Sequence, residues 1–172
     1  MDGSRRDRFE AIAPTLVEPV RRFLARRTDP DTAEDVLAET LLVCWRRVDE
    51  VPDLPLPWVY GVARNCLHNA QRSARRQDRV AARLAAEPTA PEPADDPALH
   101  EALAALRPEE AELIRLWAWE QLSPAEIATV LDISANAASI RLHRARQKLA
   151  EQWRKKSAAA GHEESKEERS HD

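Results

Sequence analysis

A break near the middle of the chain constrains it most. Glu87-Pro-Thr-Ala-Pro-Glu-Pro-Ala-Asp-Asp-Pro97 places four prolines and four acids in eleven residues. Each proline removes an amide donor and fixes φ, so neither a helix nor a central strand can run through the stretch. It reads as a flexible linker and a domain boundary. The remainder of 172 residues is enough for a small core on either side. With only three glycines (Gly3, Gly61, Gly161) and abundant Ala, Leu, Glu and Arg, both cores should be built from helices. The expected fold class is all-α, with two small helical domains joined by the linker.

Apolar residues recur at helical spacing over residues 5–27, 32–48 and 57 to about 84. A proline-marked loop, Val51-Pro-Asp-Leu-Pro-Leu-Pro57, separates the last two. Beyond the linker, Asp96 is suited to cap a helix whose first residue is Pro97. Residues 157–172 are small, polar and charged without apolar period, which predicts a disordered tail.

Several function classes lose support from the same reading. No apolar run approaches the ~20 residues needed to cross a bilayer, and no export signal opens the chain, so a cytoplasmic protein is expected. Cys44 and Cys66 are far apart, lack metal-ligand spacing and fall on apolar helix faces, which predicts buried thiols. The histidines at 68, 100, 143, 162 and 171 are scattered, and glycine-rich phosphate loops are missing. No enzyme, metal or cofactor is expected.

The formal charge of −4 argues weakly against a general nucleic-acid binder, but its distribution says more. Residues 64–83 carry a local balance of +5 and residues 141–156 one of +6, whereas residues 29–53 carry −6. Two polyanion-facing patches and a separate acidic surface follow.

Helical wheels place side chains within those patches. On the second helix Leu37, Leu41, Cys44 and Val48 share the core stripe, and Asp35, Glu39, Leu42 and Arg46 the opposite one. An outward leucine between carboxylates fits a partner-binding face. A solvated face with one stray leucine fits equally. On the third helix Val59, Val62, Ala63, Cys66 and Ala70 face the core, and Trp58, Asn65, Asn69, Arg72 and Arg76 form another stripe. Rings stack bases, amides bond base edges and guanidiniums hold phosphates, so this stripe suits an unpaired strand. The alternative is that Trp58 plugs the core and the arginines are solvated.

In the last third, Ser123-Pro-Ala-Glu126 is a capping box that starts a helix. That helix turns through Asp132-Ile-Ser134 into a second one beginning near Ala135. A short helix, a tight turn and an arginine-rich helix predict a DNA-binding helix-turn-helix. Asp132 must tolerate the left-handed conformation at the turn. Ala138, Leu142, Ala145 and Leu149 face the core. Asn136, Ile140, His143 and Gln147 point away, with Ser139 and Arg144 beside them and Arg141, Arg146 and Lys148 on the shoulders. Base-reading groups thus face a groove floor and cations its walls.

These residues together resemble the extracytoplasmic-function sigma factors of bacterial RNA polymerase. Asp31-Thr-Ala-Glu-Asp-Val-Leu-Ala-Glu-Thr-Leu-Leu-Val-Cys-Trp-Arg46 looks like their polymerase-binding helix. Pro57-Trp-Val-Tyr-Gly-Val-Ala-Arg-Asn65 looks like the start of their promoter-melting helix. Leu122-Ser-Pro-Ala-Glu-Ile-Ala-Thr-Val-Leu131 and Arg141-Leu-His-Arg-Ala-Arg-Gln-Lys-Leu149 resemble their final helix-turn-helix.

The resemblance implies an N-terminal sigma domain at 5–84, a linker at 85–97, a C-terminal sigma domain at 98–153 and a disordered charged tail at 154–172. It implies that Asp35, Ala38, Glu39, Leu42, Trp45 and Arg46 dock on the clamp coiled coil of core polymerase. Trp58, Arg64, Asn65, Asn69, Arg72 and Arg76, with the proline loop, would take the melted minus-ten strand. Ser134, Asn136, Ser139, Ile140, Arg141, His143, Arg144, Arg146 and Lys148 would read the minus-thirty-five duplex. An anti-sigma protein is a further implied partner.

The sequence departs from the family's usual residues at Ala38, Leu41, Asn69 and Ala137-Ala-Ser-Ile140. The last two lie on DNA-facing surfaces, so promoter sequence does not carry over. The rival reading is a free-standing helix-turn-helix regulator that binds operator DNA without polymerase. It accounts for residues 123–149 but leaves the acidic face and the Trp58 stripe unused.

Overall fold

A computed structural model describes residues 2–77 and 96–167. The predicted linker falls almost wholly outside these, as does the last part of the predicted third helix. The described residues contain seven α-helices, one 3-10 turn and no strand. They belong to two compact units, the first carrying α1–α3 with residues 129–132 and the second carrying α4, α5, α7 and the rest of α6.

The first unit opens with α1 (Asp2–Ala25), which keeps its course through Pro14 and Pro19. An interior proline costs a helix ~3 kcal/mol. Leu16, Val20, Phe23 and Leu24, all fully buried, offset that cost. Their spacing forms one apolar stripe, and each large side chain contributes about 1.5–3 kcal/mol of burial. Phe23 stacks on Tyr60 with ring centroids 4.9 Å apart, and the Arg27 guanidinium lies 3.7 Å from the Phe23 centroid.

Helix α2 (Pro30–Arg46) begins with Asp29, whose carboxylate accepts the Thr32 amide at 3.0 Å. That bond holds the Asp29 carboxyl below its ordinary range. A 3-10 turn (Val48–Glu50) follows where the continuous helix was expected to reach Val48. Helix α3 (Pro55–Gln77) starts two residues earlier than expected. Leu37, Cys44 and Val48 are buried as the periodicity predicts, but Leu41 is half-buried. Both cysteines are free and buried, and burial raises the Cys44 thiol to about 11.

Prolines mark the helix starts of the second unit. Pro97, Pro108 and Pro124 open α4 (Pro97–Ala104), α5 (Pro108–Ala118) and α6 (Pro124–Leu131). At a first helical position the missing amide is no loss, because it would be unpaired anyway. Asp96 caps α4 as predicted, accepting the Ala98 amide at 2.9 Å. Helices α4 and α5 both pack on α7 (Ala135–Glu167).

That last helix corrects one expectation. The tail, read as disordered because it lacks apolar periodicity, is helical through Glu167. Its Ala, Lys and Glu are strong helix formers, and propensity carries the helix onward where no packing stripe exists.

Candidate nucleic-acid and partner interfaces

The α2 face is set by the side chains beneath it. Ala33, Val36, Leu37, Thr40 and Cys44 are buried, which turns Asp35, Ala38, Glu39, Leu42 and Arg46 outward. Thr40 satisfies its buried hydroxyl by donating to the Val36 carbonyl at 2.7 Å. Leu42 is 45% exposed and Trp45 38%. Trp45 is braced by Phe9, edge-on at 5.4 Å between centroids. An apolar pair thus sits among carboxylates without being absorbed into the core.

On α3 the buried Val59, Val62, Ala63, Cys66 and Leu67 fix the rotation of the helix. Asn65, Asn69, Arg72 and Arg76 are exposed, and Arg64 is half-buried. Trp58 falls between its two sequence readings. It is half-buried, and the Arg47 guanidinium stands 5.2 Å from its ring centroid. Arg47 is in turn held by Glu50 at 3.0 Å through Nε. Ahead of Trp58, Leu54 projects from the proline loop, 78% exposed.

The helix-turn-helix forms at the predicted residues. Ser123 Oγ accepts the Glu126 amide at 3.3 Å, and the Glu126 carboxylate accepts the Ser123 amide at 2.7 Å. At the turn Asp132 takes φ 53°, the left-handed conformation, and the Ile133 amide returns to the Ala128 carbonyl at 3.1 Å. Those two features define a Schellman stop. Ser134 then caps α7 by accepting the Ala137 amide at 3.1 Å, so its hydroxyl has a structural partner.

Ala138, Leu142 and Ala145 are buried on α7. Asn136, Ser139, Ile140, Arg141, His143 and Arg144 are exposed on the other side, with Ile140 43% exposed. The two remaining cations are tethered to α5, which sequence reasoning missed. Arg146 lies 4.3 Å from the centroid of Trp117. Lys148 Nζ contacts Glu110 at 2.6 Å, and it holds the Glu110 carboxyl below the ordinary range. Trp117 and Glu110 carry no periodic signal that would have paired them with α7.

Among the described residues no cluster of His, Cys, Asp and Glu could hold a metal ion, and no helix is long and apolar enough to cross a membrane.

This arrangement defines a two-unit helical protein with a helix-turn-helix in its second unit and an exposed acidic face on α2. Comparison with known proteins narrows it. Residues 97–149 match the family model "Sigma-70, region 4". None of the curated proteins matches. Among solved structures, the sigma factor RpoE in complex with the anti-sigma factor NepR from Bartonella quintana is similar with TM-score 0.63 at 23% identity, over 85% of this chain and 96% of that one. CnrH in complex with the cytosolic domain of CnrY gives TM-score 0.50 at 22% identity, over 87% of each chain. The PhyRSL–NepR complex from Sphingomonas sp. Fr1 gives 0.57 at 17%, over 86% of this chain and 88% of that one. At such identities these likenesses establish the fold.

The C-terminal unit carries the match to sigma-70 region 4, and the likeness to the RpoE structure extends a shared fold over 85% of the chain.

Proposed function

We propose that the chain is an alternative sigma factor, which binds core RNA polymerase and directs it to promoter DNA, and that each exposed face described above carries one step of initiation. The α2 face, with Asp35, Ala38, Glu39, Leu42, Trp45 and Arg46, docks on the clamp coiled coil of core polymerase. The proline loop and Trp58, Arg64, Asn65, Asn69, Arg72 and Arg76 on α3 hold the melted non-template strand of the minus-ten element. On α7, Asn136, Ser139, Ile140 and His143 meet base edges of the minus-thirty-five element, while Arg141, Arg144 and Arg146 hold phosphates. Ser134 and Lys148 border that surface. The protein acts in the cytoplasm without catalytic residues or cofactor of its own.

One observation carries this reading. Asn136, Ile140 and His143 are exposed in line, opposite a buried Ala138–Leu142–Ala145 stripe, within the stretch that matches region 4. An anti-sigma protein is a partner by analogy, since the RpoE of Bartonella quintana is seen with the anti-sigma factor NepR.

Transcription in vitro with core polymerase, followed by mapping of start sites, tests the assignment. Specific starts that depend on the factor are expected. Duplex binding by the isolated chain, with no polymerase-dependent transcript, would instead favour an operator-binding regulator. Glu39→Lys should weaken core binding by about 1–3 kcal/mol with helicity unchanged. Equal affinity of the variant and the parent for core would remove the docking face.

A further inference from the structure

Two arginines of α1 take no part in any of these steps. Arg5 and Arg8 stand about one turn apart and reach different parts of the segment after α2. Arg5 Nη2 donates to the carbonyls of Arg46 at 3.0 Å and Trp45 at 3.5 Å, and Arg5 Nε lies 3.3 Å from Asp49. Those carbonyls end α2, where intrahelical donors run out and the helix dipole is negative. Arg8 Nη2 reaches further and donates to the Val51 carbonyl at 2.6 Å.

Val51 is the root of the proline loop. It is 3% exposed, and its amide bonds back to Val48 at 3.4 Å. Pro52 restricts it to the extended conformation, which it adopts at φ −65° and ψ 121°. Pro52 fixes one φ within the loop, and Pro55 opens α3 directly after Leu54, so the short loop has few free dihedrals. A stiff loop held at its root has its direction set there, and Leu54 stands at its exposed tip.

We propose that Arg8 is a positioning residue for strand capture: by holding the Val51 carbonyl it aims the loop at residues 51–54, and Leu54 at its tip, at the unpaired base. This rests on the assignment of that loop to the melted strand. A charged donor suits the task, because a charge-assisted bond resists the pull of the bound strand better than a neutral one. Arg5 has a different duty, since it stabilises the end of the docking helix and leaves the loop alone.

The test uses holoenzyme reconstituted with core polymerase. The probe is a fluorescent single strand bearing the non-template minus-ten sequence of a mapped start site. Arg8→Ala should lower affinity for this strand by about tenfold with core affinity unchanged, and Arg8→Lys, which keeps a charged donor, should recover most of it. An equal loss of core affinity and strand affinity in Arg8→Ala overturns the proposal, because Arg8 would then serve the fold as a whole. Unchanged strand affinity in Arg8→Ala, with losses in Leu54→Ala and Trp58→Ala, also overturns it while leaving the loop assignment standing. If Leu54→Ala and Trp58→Ala bind the strand normally, the loop assignment fails and the role of Arg8 fails with it.

Discussion

The two surfaces proposed to meet DNA differ in how some of their cations are held. On α3 the arginines at 72 and 76 extend from the helix as exposed side chains. On α7 Arg146 lies on Trp117 and Lys148 is paired with Glu110. The difference matches what each surface is proposed to meet. Duplex phosphates have fixed spacing, so cations positioned beforehand lose little entropy on binding. An unpaired strand has no fixed spacing, and long side chains able to follow its backbone serve better.

The largest expected effect tests whether the two units are as separate as this comparison requires. Phe23 is fully buried against Tyr60 and Arg27 in the first unit. Phe23→Ala should cost that unit about 3–5 kcal/mol through the lost ring and the cavity left behind. Calorimetry of the full chain should then show one transition falling while the other holds its temperature. A single transition that moves as a whole would mean the units unfold together, and the contrast between them would lose its basis.

A smaller effect separates the chemistries of the surfaces. Ile140 is an exposed β-branched residue on α7, and a thymine methyl in the major groove would give it an apolar partner. Ile140→Ser should therefore cost roughly 1–3 kcal/mol at one base position, with other positions unaffected. Asn69→Ala on α3 should instead slow open-complex formation and spare closed-complex binding, because its base is available only after unpairing. A promoter library and permanganate footprinting read the two variants. Uniform loss across the library for Ile140→Ser, or equal loss of both complexes for Asn69→Ala, would break the division.

How far the sequence reached depends on the range of the interaction. Helix faces were legible because periodicity alone sets them. Asp35, Glu39 and Leu42 are exposed opposite Leu37 and Cys44, and Asn136, Ile140 and His143 opposite Ala138 and Leu142. Caps were equally local, as at Asp96 and Ser123. Pairings between distant residues were not legible. Lys148 stood as one more groove-wall cation until its contact with Glu110 appeared, and Arg8 gave no hint of Val51. Such contacts are decided by how helices cross, which composition does not encode. The tail shows another limit: the same polar composition that forbids a core also favours helix, and propensity decided the outcome over most of residues 157–167.

The smallest effect asks whether Lys148 is committed before DNA arrives. Glu110 has two duties, since one oxygen accepts the Arg107 amide at 3.1 Å and the other meets Lys148. Glu110→Gln keeps an acceptor for the amide and removes the charge, so it isolates the pair. With 49% and 22% of the two side chains exposed, solvent screens the attraction, and the stability change should stay under about 1 kcal/mol. Its pH dependence has a fixed sign. Lys148 lowers the Glu110 carboxyl in the folded state, so the pair stabilises above the unfolded value near about 4.3 and fades as pH falls through the folded one. The parent and Glu110→Gln should therefore differ at neutral pH and converge in acid. Holoenzyme binding to duplex promoter gives the sharper reading. A lysine freed by Glu110→Gln can displace one more counterion, which should steepen the salt slope by up to about 1. If Lys148→Ala instead flattens the slope by a full unit while Glu110→Gln leaves it unchanged, Lys148 abandons Glu110 for a phosphate on binding. The cations of α7 would then be no more fixed than those of α3.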